Sequence, residues 1–254
     1  MATRTVVFVH GNPETPAIWG PLADALAARG VGPIVRLAPP GFGAPVPDGF
    51  SPTMDGYADW LAGELATLAA DGDLDVVGHD WGAGHVFGAL ARRPDVFRTW
   101  ACDIAGVLHR DYVWHDMAQL WQTPGVGEEA VAGLTAGSVE DKTAIFTALG
   151  LTDEMAADIA EAAGADMARC ILELYRSAAQ PAVGELGDRL ATMSLPPGLV
   201  IDAVEDPYVP SALGNEIAAR LGASVFPLVG RGHWWMVRDV DPVADALTAF
   251  WEAN

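Results

Sequence analysis

Apolar, β-branched runs alternate with alanine-rich stretches over about the first 105 residues of the chain. The apolar runs are short, and they predict strands at residues 6–9, 33–37, 74–77 and 97–102. The alanine-rich stretches between them predict helices at residues 17–29, 54–69 and 83–92. Because continuously apolar strands separated by helices are typical of a parallel sheet covered on both faces, the pattern indicates an α/β fold.

The pattern changes after residue 106. From about residue 109 to residue 195 the sequence contains no convincing strand, and it predicts several helices broken at glycines and prolines. The alternation resumes with predicted strands at 199–203 and 224–228 and helices at 212–221 and 240–252. We therefore expect a core formed by residues 1–106 and 196–254, with residues 107–195 inserted as a helical cap. Such a cap would lie over the carboxyl ends of the strands, where open α/β sheets bind ligands.

Composition bounds the class of protein. A chain of 254 residues with 51% hydrophobic residues can bury one sizeable core and still carry an insertion. No apolar run approaches the roughly 20 residues that a membrane span needs. The first residues lead directly into a predicted strand, so we expect no signal peptide. With only two cysteines, Cys102 and Cys170, we expect no disulfide framework and a cytoplasmic location.

The formal net charge is −20, from 14 Lys and Arg against 34 Asp and Glu. Such a surface repels nucleic acid and anionic lipid, so neither is expected as a partner. The only lysine, Lys142, lies in a polar stretch, which argues against Schiff-base chemistry and against a P-loop. The sequence has no metal-ligand cluster of usable spacing and no dinucleotide fingerprint, so no metal or cofactor is predicted. The oligomeric state stays open.

The most informative motif is Val-Val-Gly-His-Asp-Trp-Gly-Ala-Gly at residues 76–84. It combines a buried strand, a turn between glycines and a helix, which is the nucleophile-elbow pattern Gly-x-Ser-x-Gly with Asp80 in the serine position. A carboxylate needs no base to attack, but its attack on a carbonyl would give an anhydride. Attack on an sp3 carbon that bears a leaving group gives an ester that water can cleave. Asp80 therefore indicates epoxides or alkyl halides as substrates.

An acid and a histidine follow Asp80 in the order nucleophile, acid, histidine. Asp206 and His233 each come just after a predicted strand, so both should lie at the same edge of the sheet. His233 would activate water against the ester, and Asp206 would orient the imidazole and stabilise its charged form. Asp103 follows another strand and is the alternative acid, and Asp202 and Glu205 are further candidates.

The first predicted strand is followed by His10-Gly11-Asn12-Pro13. We expect this loop to supply the backbone N–H of Asn12 to an oxyanion hole, with the N–H of Trp81 as the second donor. We expect His10 to brace the loop and His79 to be a structural neighbour of the elbow.

Four motifs in this order resemble those of the α/β-hydrolase epoxide hydrolases and haloalkane dehalogenases. They are Val-His-Gly-Asn-Pro, Pro-Gly-Phe-Gly, Gly-His-Asp-Trp-Gly and Gly-His-Trp, at residues 9–13, 40–43, 78–82 and 232–234. The resemblance covers the core at both ends of the chain, and the match over the cap is weak. It implies the α/β-hydrolase fold with an inserted helical cap. Because the chain begins at the third strand of that family, a mostly parallel sheet of about six strands is expected.

The resemblance also bears on whether the substrate is an epoxide or an alkyl halide. Epoxide hydrolases of this fold place two cap tyrosines over the nucleophile, and Leu174-Tyr175-Arg176 resembles the segment that carries the second. Tyr175 would then donate its proton to the opening epoxide oxygen. The place of the first tyrosine holds none, and Tyr112, Trp114 or His115 could substitute for it.

Haloalkane dehalogenases hold the departing halide between an asparagine amide and the indole N–H after the nucleophile, and Asn12 and Trp81 match that pair. We therefore predict an epoxide hydrolase, with a haloalkane or haloacid dehalogenase as the alternative and a non-catalytic ligand-binding protein of the same fold as a third possibility. The substrate is expected to be small, uncharged and apolar, in a pocket lined by Trp114, His115, Trp121 and Trp234.

Overall fold

The computed structural model describes residues 3–254, which form six parallel strands and eleven α-helices. The strands are β1 Thr3–Val9, β2 Ile34–Leu37, β3 Gly72–Gly78, β4 Thr99–Cys102, β5 Gly198–Ala203 and β6 Ser224–Leu228. The helices are α1 Gly20–Ala28, α2 Met54–Leu68, α3 Trp81–Leu90, α4 Asp116–Gln122, α5 Val126–Thr135, α6 Val139–Ala148, α7 Asp153–Ala162, α8 Ala165–Ser177, α9 Ala182–Leu190, α10 Ser211–Leu221 and α11 Asp241–Ala253.

The strands form one sheet in the order β2-β1-β3-β4-β5-β6. The last residue of β1, Val9, pairs with the last residue of β3, Gly78, and Gly78 pairs in turn with Cys102 at the end of β4. The end of β5 pairs with the end of β6. The loops that follow β1, β3, β4, β5 and β6 therefore leave the sheet along one edge. The predicted fold, a parallel sheet of about six strands flanked by helices, is confirmed.

The core lies between the sheet and the helices that cover it. Residues 74–78 of β3 are all buried, so both faces of the central strand are covered. Helix α2 packs on α3, and α1 packs on α11. Trp19 stacks on Phe8 of β1 with 4.6 Å between ring centroids, and both rings are fully buried.

Helices α4 to α9 all lie between β4 and β5 in the chain. They pack mainly on one another, in the pairs α4 with α5, α5 with α8, α4 with α8 and α6 with α7. Contacts with the rest of the protein run through α9 with the 3-10 helix Ala105–Leu108 and with α3, through α2 with α8, and through the 3-10 helix Pro16–Trp19 with α7. The division into core and cap at residues 107 and 195 stays a prediction.

Most predicted elements begin within three residues of the predicted start, and two of the differences have a clear local cause. The helix expected at 17–29 is a 3-10 helix, Pro16–Trp19, followed by α1, and the Thr15 hydroxyl accepts from the N–H of Ala17 at its start. The strand expected at 97–102 begins at Thr99, because a 3-10 helix, Pro94–Val96, precedes it and ends at Phe97. Within residues 3–254, no helix is both long enough and apolar enough to cross a membrane.

Candidate active site

Asp80 stands at the sharp turn between β3 and α3. Its backbone has φ 49° and ψ −129°, a conformation that is rare for residues with a side chain. The turn comes so close to β1 that Gly82 has no room for a side chain, since a Cβ there would lie 2.1 Å from the carbonyl oxygen of Val9. This strand–turn–helix geometry is the one that a nucleophile elbow requires. It leaves Asp80 lining a cavity.

The Asp80 carboxylate meets groups from two other loops. The backbone N–H of Asn12 donates a 2.9 Å hydrogen bond to its Oδ1, and Nε2 of His233 lies 3.8 Å from its Oδ2. Burial raises the pKa of Asp80 to about 6, although the nearby His233 and the Asn12 N–H act in the opposite direction. At neutral pH Asp80 is therefore a poorly solvated carboxylate, the form that attacks an electrophilic carbon.

The loop after β1 packs directly against the elbow. A Cβ at Gly11 would lie 2.1 Å from Oδ1 of Asp80 and 2.6 Å from the backbone nitrogen of Trp81. Nδ1 of His10 lies 2.9 Å from the Gly11 carbonyl oxygen within the same loop. The structure thus brings the Asn12 loop and the Trp81 backbone together at the carboxylate. Their part in an oxyanion hole stays a prediction.

His233 and Asp206 lie together in the loops after β6 and β5. Nδ1 of His233 is 2.8 Å from Oδ2 of Asp206, whose Oδ1 accepts the backbone N–H of Tyr208 at 2.7 Å. Burial alone would raise the pKa of Asp206, but hydrogen bonding to His233 holds it below its usual value. Burial alone would lower the pKa of His233, but Asp206 raises it. Nε2 of His233 is left facing Asp80.

Asp103, the alternative acid, lies behind the elbow. Its Oδ1 accepts the backbone N–H of Asp80 at 3.0 Å, and its Oδ2 pairs with Nδ1 of His79. Nδ1 of His233 is already taken by Asp206. The geometry therefore favours Asp206 as the partner of His233 and gives Asp103 a place in the support of the elbow.

Glu14 is a member of the site that the sequence analysis missed. Its Oε2 accepts the backbone N–H of Gly11 at 2.9 Å, and its Oε1 accepts the indole N–H of Trp234 at 2.7 Å. The same Oε1 lies 3.1 Å from Nε2 of His79. Burial alone would lower the pKa of His79, but Asp103 and Glu14 together raise it well above its usual value. A buried imidazolium between two carboxylates thus joins the loops after β1, β3 and β4.

Glu14, His79 and His233 place possible metal-ligand atoms within 4.8 Å of one another. These atoms are already engaged, because each nitrogen of His79 faces a carboxylate and Glu14 also accepts from Trp234. A metal ligand must be a neutral histidine, whereas the raised pKa of His79 favours the imidazolium. The group fits a set of hydrogen-bonded ion pairs better than a metal centre.

Tyr175 lies on α8 inside a group of aromatic rings. Its side chain is 3% exposed, and its ring centroid is 4.8 Å from that of Trp121, 5.3 Å from Trp81 and 5.4 Å from Trp114. Burial, and secondarily the negative charge of Asp80, raise the pKa of Tyr175 well above its usual value. The hydroxyl is therefore protonated and able to donate.

The side chains of Trp81 and Asn12 act on the same hydroxyl. Both act to lower the pKa of Tyr175, although burial outweighs them. Oδ1 and Nδ2 of Asn12 are buried and have no hydrogen-bond partner among residues 3–254. Tyr175 thus stands at the two groups that were expected to hold a halide.

The other predicted pocket residues line the space around Asp80. Trp114 lines its inner part, Trp121 and Trp234 line its outer part, and His115 lines both. Nδ1 of His115 accepts the backbone N–H of Ala118 at the start of α4. Sequence reasoning missed Tyr208, which lines both parts and lies 4.8 Å from His233 and from His115 between ring centroids.

Comparison with known proteins agrees with this fold. The profile of the alpha/beta hydrolase family matches residues 6–246. The chain belongs to the alpha/beta hydrolase family. The predicted fold and the predicted hydrolase class are both confirmed at this level.

Individual relatives divide between the two predicted activities. An epoxide hydrolase from Caballeronia sordidicola is 34% identical over 104 residues, which are 39% of this chain and only 30% of that protein. The haloalkane dehalogenase DbeA from Bradyrhizobium elkani USDA94 superposes with a TM-score of 0.75 at 26% identity, covering 99% of this chain and 92% of its own. An E-2-(acetamidomethylene)succinate hydrolase, at 17% identity, a TM-score of 0.73 and coverages of 99% and 92%, shows the fold alone.

Proposed function

We propose that the protein is an epoxide hydrolase that acts on a small, uncharged, apolar epoxide through a covalent ester on Asp80. The observation that carries the proposal is the buried Tyr175, whose protonated hydroxyl lines the same cavity as Asp80. An epoxide oxygen leaves as a strongly basic alkoxide and needs such a donor, whereas a halide ion leaves without a proton.

In the first half-reaction an Asp80 oxygen attacks a ring carbon. A C–O ester bond forms, the ring C–O bond breaks, and the oxygen that leaves takes the hydroxyl proton of Tyr175. The apolar surroundings favour this step because the attacking carboxylate is poorly solvated.

In the second half-reaction His233 takes a proton from water, and the water oxygen attacks the ester carbon of Asp80. Asp206 stabilises the imidazolium that forms, and the Asn12 N–H faces the oxygen that becomes negatively charged. Collapse of the intermediate breaks the ester bond. His233 returns its proton to the leaving alkoxide, so a diol leaves. The proton that remains on the Asp80 carboxyl group passes to the Tyr175 oxygen, which restores both the carboxylate and the tyrosine.

A haloalkane dehalogenase is the second candidate. Its support is the unpartnered amide of Asn12, which lies with Trp81 close enough to bind the same Tyr175 oxygen. A halide held by that pair would compete with the Tyr175 hydroxyl for its place. This competition is why the epoxide is preferred.

The decisive experiment traps the ester. The variant His233→Gln, incubated with styrene oxide and separately with a dibromoalkane, should accumulate a covalent adduct that intact mass spectrometry detects. A gain of one whole epoxide supports the proposal, and a gain of a bromoalkyl group alone supports the dehalogenase. The double variant Asp80→Asn/His233→Gln is the control and should remain unlabelled. If folded His233→Gln forms neither adduct, the result would contradict the proposal and favour a non-catalytic ligand-binding protein of this fold.

Tyr175→Phe tests the proton donor. We expect the rate of ester formation from styrene oxide to fall roughly 10–1000-fold, because the leaving oxygen loses its donor. Ester formation from the dibromoalkane should change much less, since bromide needs no proton. Both rates are measured by rapid quench and mass spectrometry in the His233→Gln background. An unchanged epoxide rate would remove Tyr175 from the mechanism.

A further inference from the structure

The space around Asp80 consists of two compartments that meet at the reacting groups. Asp80, Tyr175 and His233 line both of them. The inner compartment extends towards Val107 and Leu186, and the outer compartment extends towards α4 and α6. A substrate attacked by Asp80 can therefore extend into both compartments.

The two compartments differ strongly in size. The inner one has about 20 Å³ of free volume and the outer one about 300 Å³. One water molecule needs roughly 10–15 Å³ on this scale, so the inner compartment holds a group about as large as a methyl. The outer compartment falls within the range of roughly 300–1,000 Å³ found for small-molecule sites.

The wall of the inner compartment is packed from behind. Val107 and Leu108 are buried, and α9 comes so close that a Cβ at Gly187 would lie 2.3 Å from the Leu108 carbonyl oxygen. Behind the same turn, a Cβ at Gly106 would lie 2.7 Å from a Val209 methyl. Close-packed walls of this kind yield little to a larger ligand, and overfilling them is unfavourable.

The wall of the outer compartment is different. Met117 on α4 is 41% exposed, and Leu149 at the end of α6 is 40% exposed. Side chains with one face in solvent can change rotamer without disturbing a packed core. This wall can therefore adapt to substituents of different shape.

Resting on the proposed function, we infer that the enzyme takes terminal epoxides that carry one bulky apolar substituent. The substituent occupies the outer compartment, and the inner compartment accepts only hydrogen or a methyl group. Epoxides with long chains on both ring carbons are excluded by Val107, Leu108 and Leu186.

Three isomeric substrates test this inference, because they differ only in the position of the ring. For 1,2-, 2,3- and 4,5-epoxyoctane, kcat/KM should fall in that order, with a total loss of roughly 10–100-fold or more from overpacking. Equal kcat/KM for the three isomers would overturn the inference while leaving the proposed function standing. No turnover of any isomer, and no ester with His233→Gln, would instead contradict the proposed function.

Two variants locate the effect in the inner wall. Val107→Ala and Leu186→Ala should each raise the ratio of kcat/KM for the 4,5-isomer over the 1,2-isomer, by roughly 10-fold. Leu149→Ala is the matched control, because it enlarges the outer compartment and should leave this ratio unchanged. A ratio that rises equally in all three variants would place the restriction elsewhere and overturn the inference. Two inner variants are used so that loss of folding in one does not end the test.

Discussion

Two aspartates near His233 have different environments and therefore different expected roles. Asp206 bonds to His233 directly, whereas Asp103 bonds to the Asp80 backbone and, through the same oxygen as His79, to the indole N–H of Trp235 at 2.8 Å. The Asp103 carboxylate holds the Asp80 backbone, His79 and Trp235 in position and is not hydrogen-bonded to His233. We therefore expect Asp206 to stabilise the charged form of His233 during the reaction, and Asp103 to hold the elbow in its folded position.

Substituting each acid by asparagine separates the roles. Asp206→Asn should slow ester hydrolysis by up to about 10⁴-fold and let the ester accumulate, because the imidazolium of His233 loses its counter-charge. Asp103→Asn should instead lower the free energy of unfolding by roughly 3 kcal/mol or more, since it leaves the buried His79 charge with one partner fewer. Single-turnover mass spectrometry and chemical denaturation measure the two effects. Ester accumulation in Asp103→Asn alone would reverse the assignment.

Some site residues follow from the sequence and others do not. Asp80, His233 and Asn12 stand in local motifs, and each motif fixes its own backbone geometry within a few residues. Asp206 follows from its position just after a predicted strand. Glu14 has no such motif, because its indole partner lies 220 residues further along the chain. Only the folded sheet edge brings these side chains together.

At the scale of elements, the elbow depends on its close approach to β1. We expect Gly82→Ala to lower the free energy of unfolding by about 1–3 kcal/mol, because a Cβ there meets the backbone of β1 and the strand or the helix must shift. The rate of ester formation should fall with it, since Asp80 moves relative to the Asn12 N–H. Gly63→Ala in α2, where a Cβ meets nothing within 4 Å, is the control and should be neutral or stabilising. Equal stability of the two variants would contradict this picture of the elbow.

The strands were predictable because each is an apolar run bounded by turn residues, and all six were found within a few residues of their true bounds. The helices between β4 and β5 were predictable only as a group. Glycines in their sequence predict where the helices end. Which helices pack together depends on contacts such as that of α5 with α8, and no local sequence pattern predicts these contacts. Tyr175 reaches the elbow through that packing.

At the scale of the whole molecule, five buried or partly buried histidines respond to acid in two opposite ways. Burial lowers the pKa of His10 to about 4, that of His85 to about 3 and that of His115 to about 4. His79 and His233 have raised pKa values and are charged in both the folded and the unfolded chain below pH 6.5. Of these five, His10, His85 and His115 therefore take up protons in the unfolded chain before the folded one as the pH falls below 6.5.

The three neutral histidines make the protein less stable in weak acid, because the state that binds more protons gains as the pH falls. Asp80 acts against them, since its raised pKa of about 6 lets the folded chain bind a proton before the unfolded one does. About two net protons remain, which corresponds to a loss of roughly 2–3 kcal/mol per pH unit within this window. Chemical denaturation at pH 6.0, 5.5 and 5.0 measures the loss within this window.

The variant His85→Phe removes the contribution of one of these histidines to the pH dependence of stability. His85 is 1% exposed and stacks on Tyr57 with 4.5 Å between ring centroids, so a phenyl ring of similar shape can replace it. Because phenylalanine cannot be protonated in the unfolded chain, the loss of stability between pH 7 and pH 5 should shrink by about 2 kcal/mol. Phe87→Leu is the control, because Phe87 lies two residues further along the same helix and is also buried. It should lower the free energy of unfolding at every pH and leave the difference between pH 7 and pH 5 unchanged. The same pH difference in His85→Phe as in the unsubstituted protein would mean that His85 does not resist protonation in the fold.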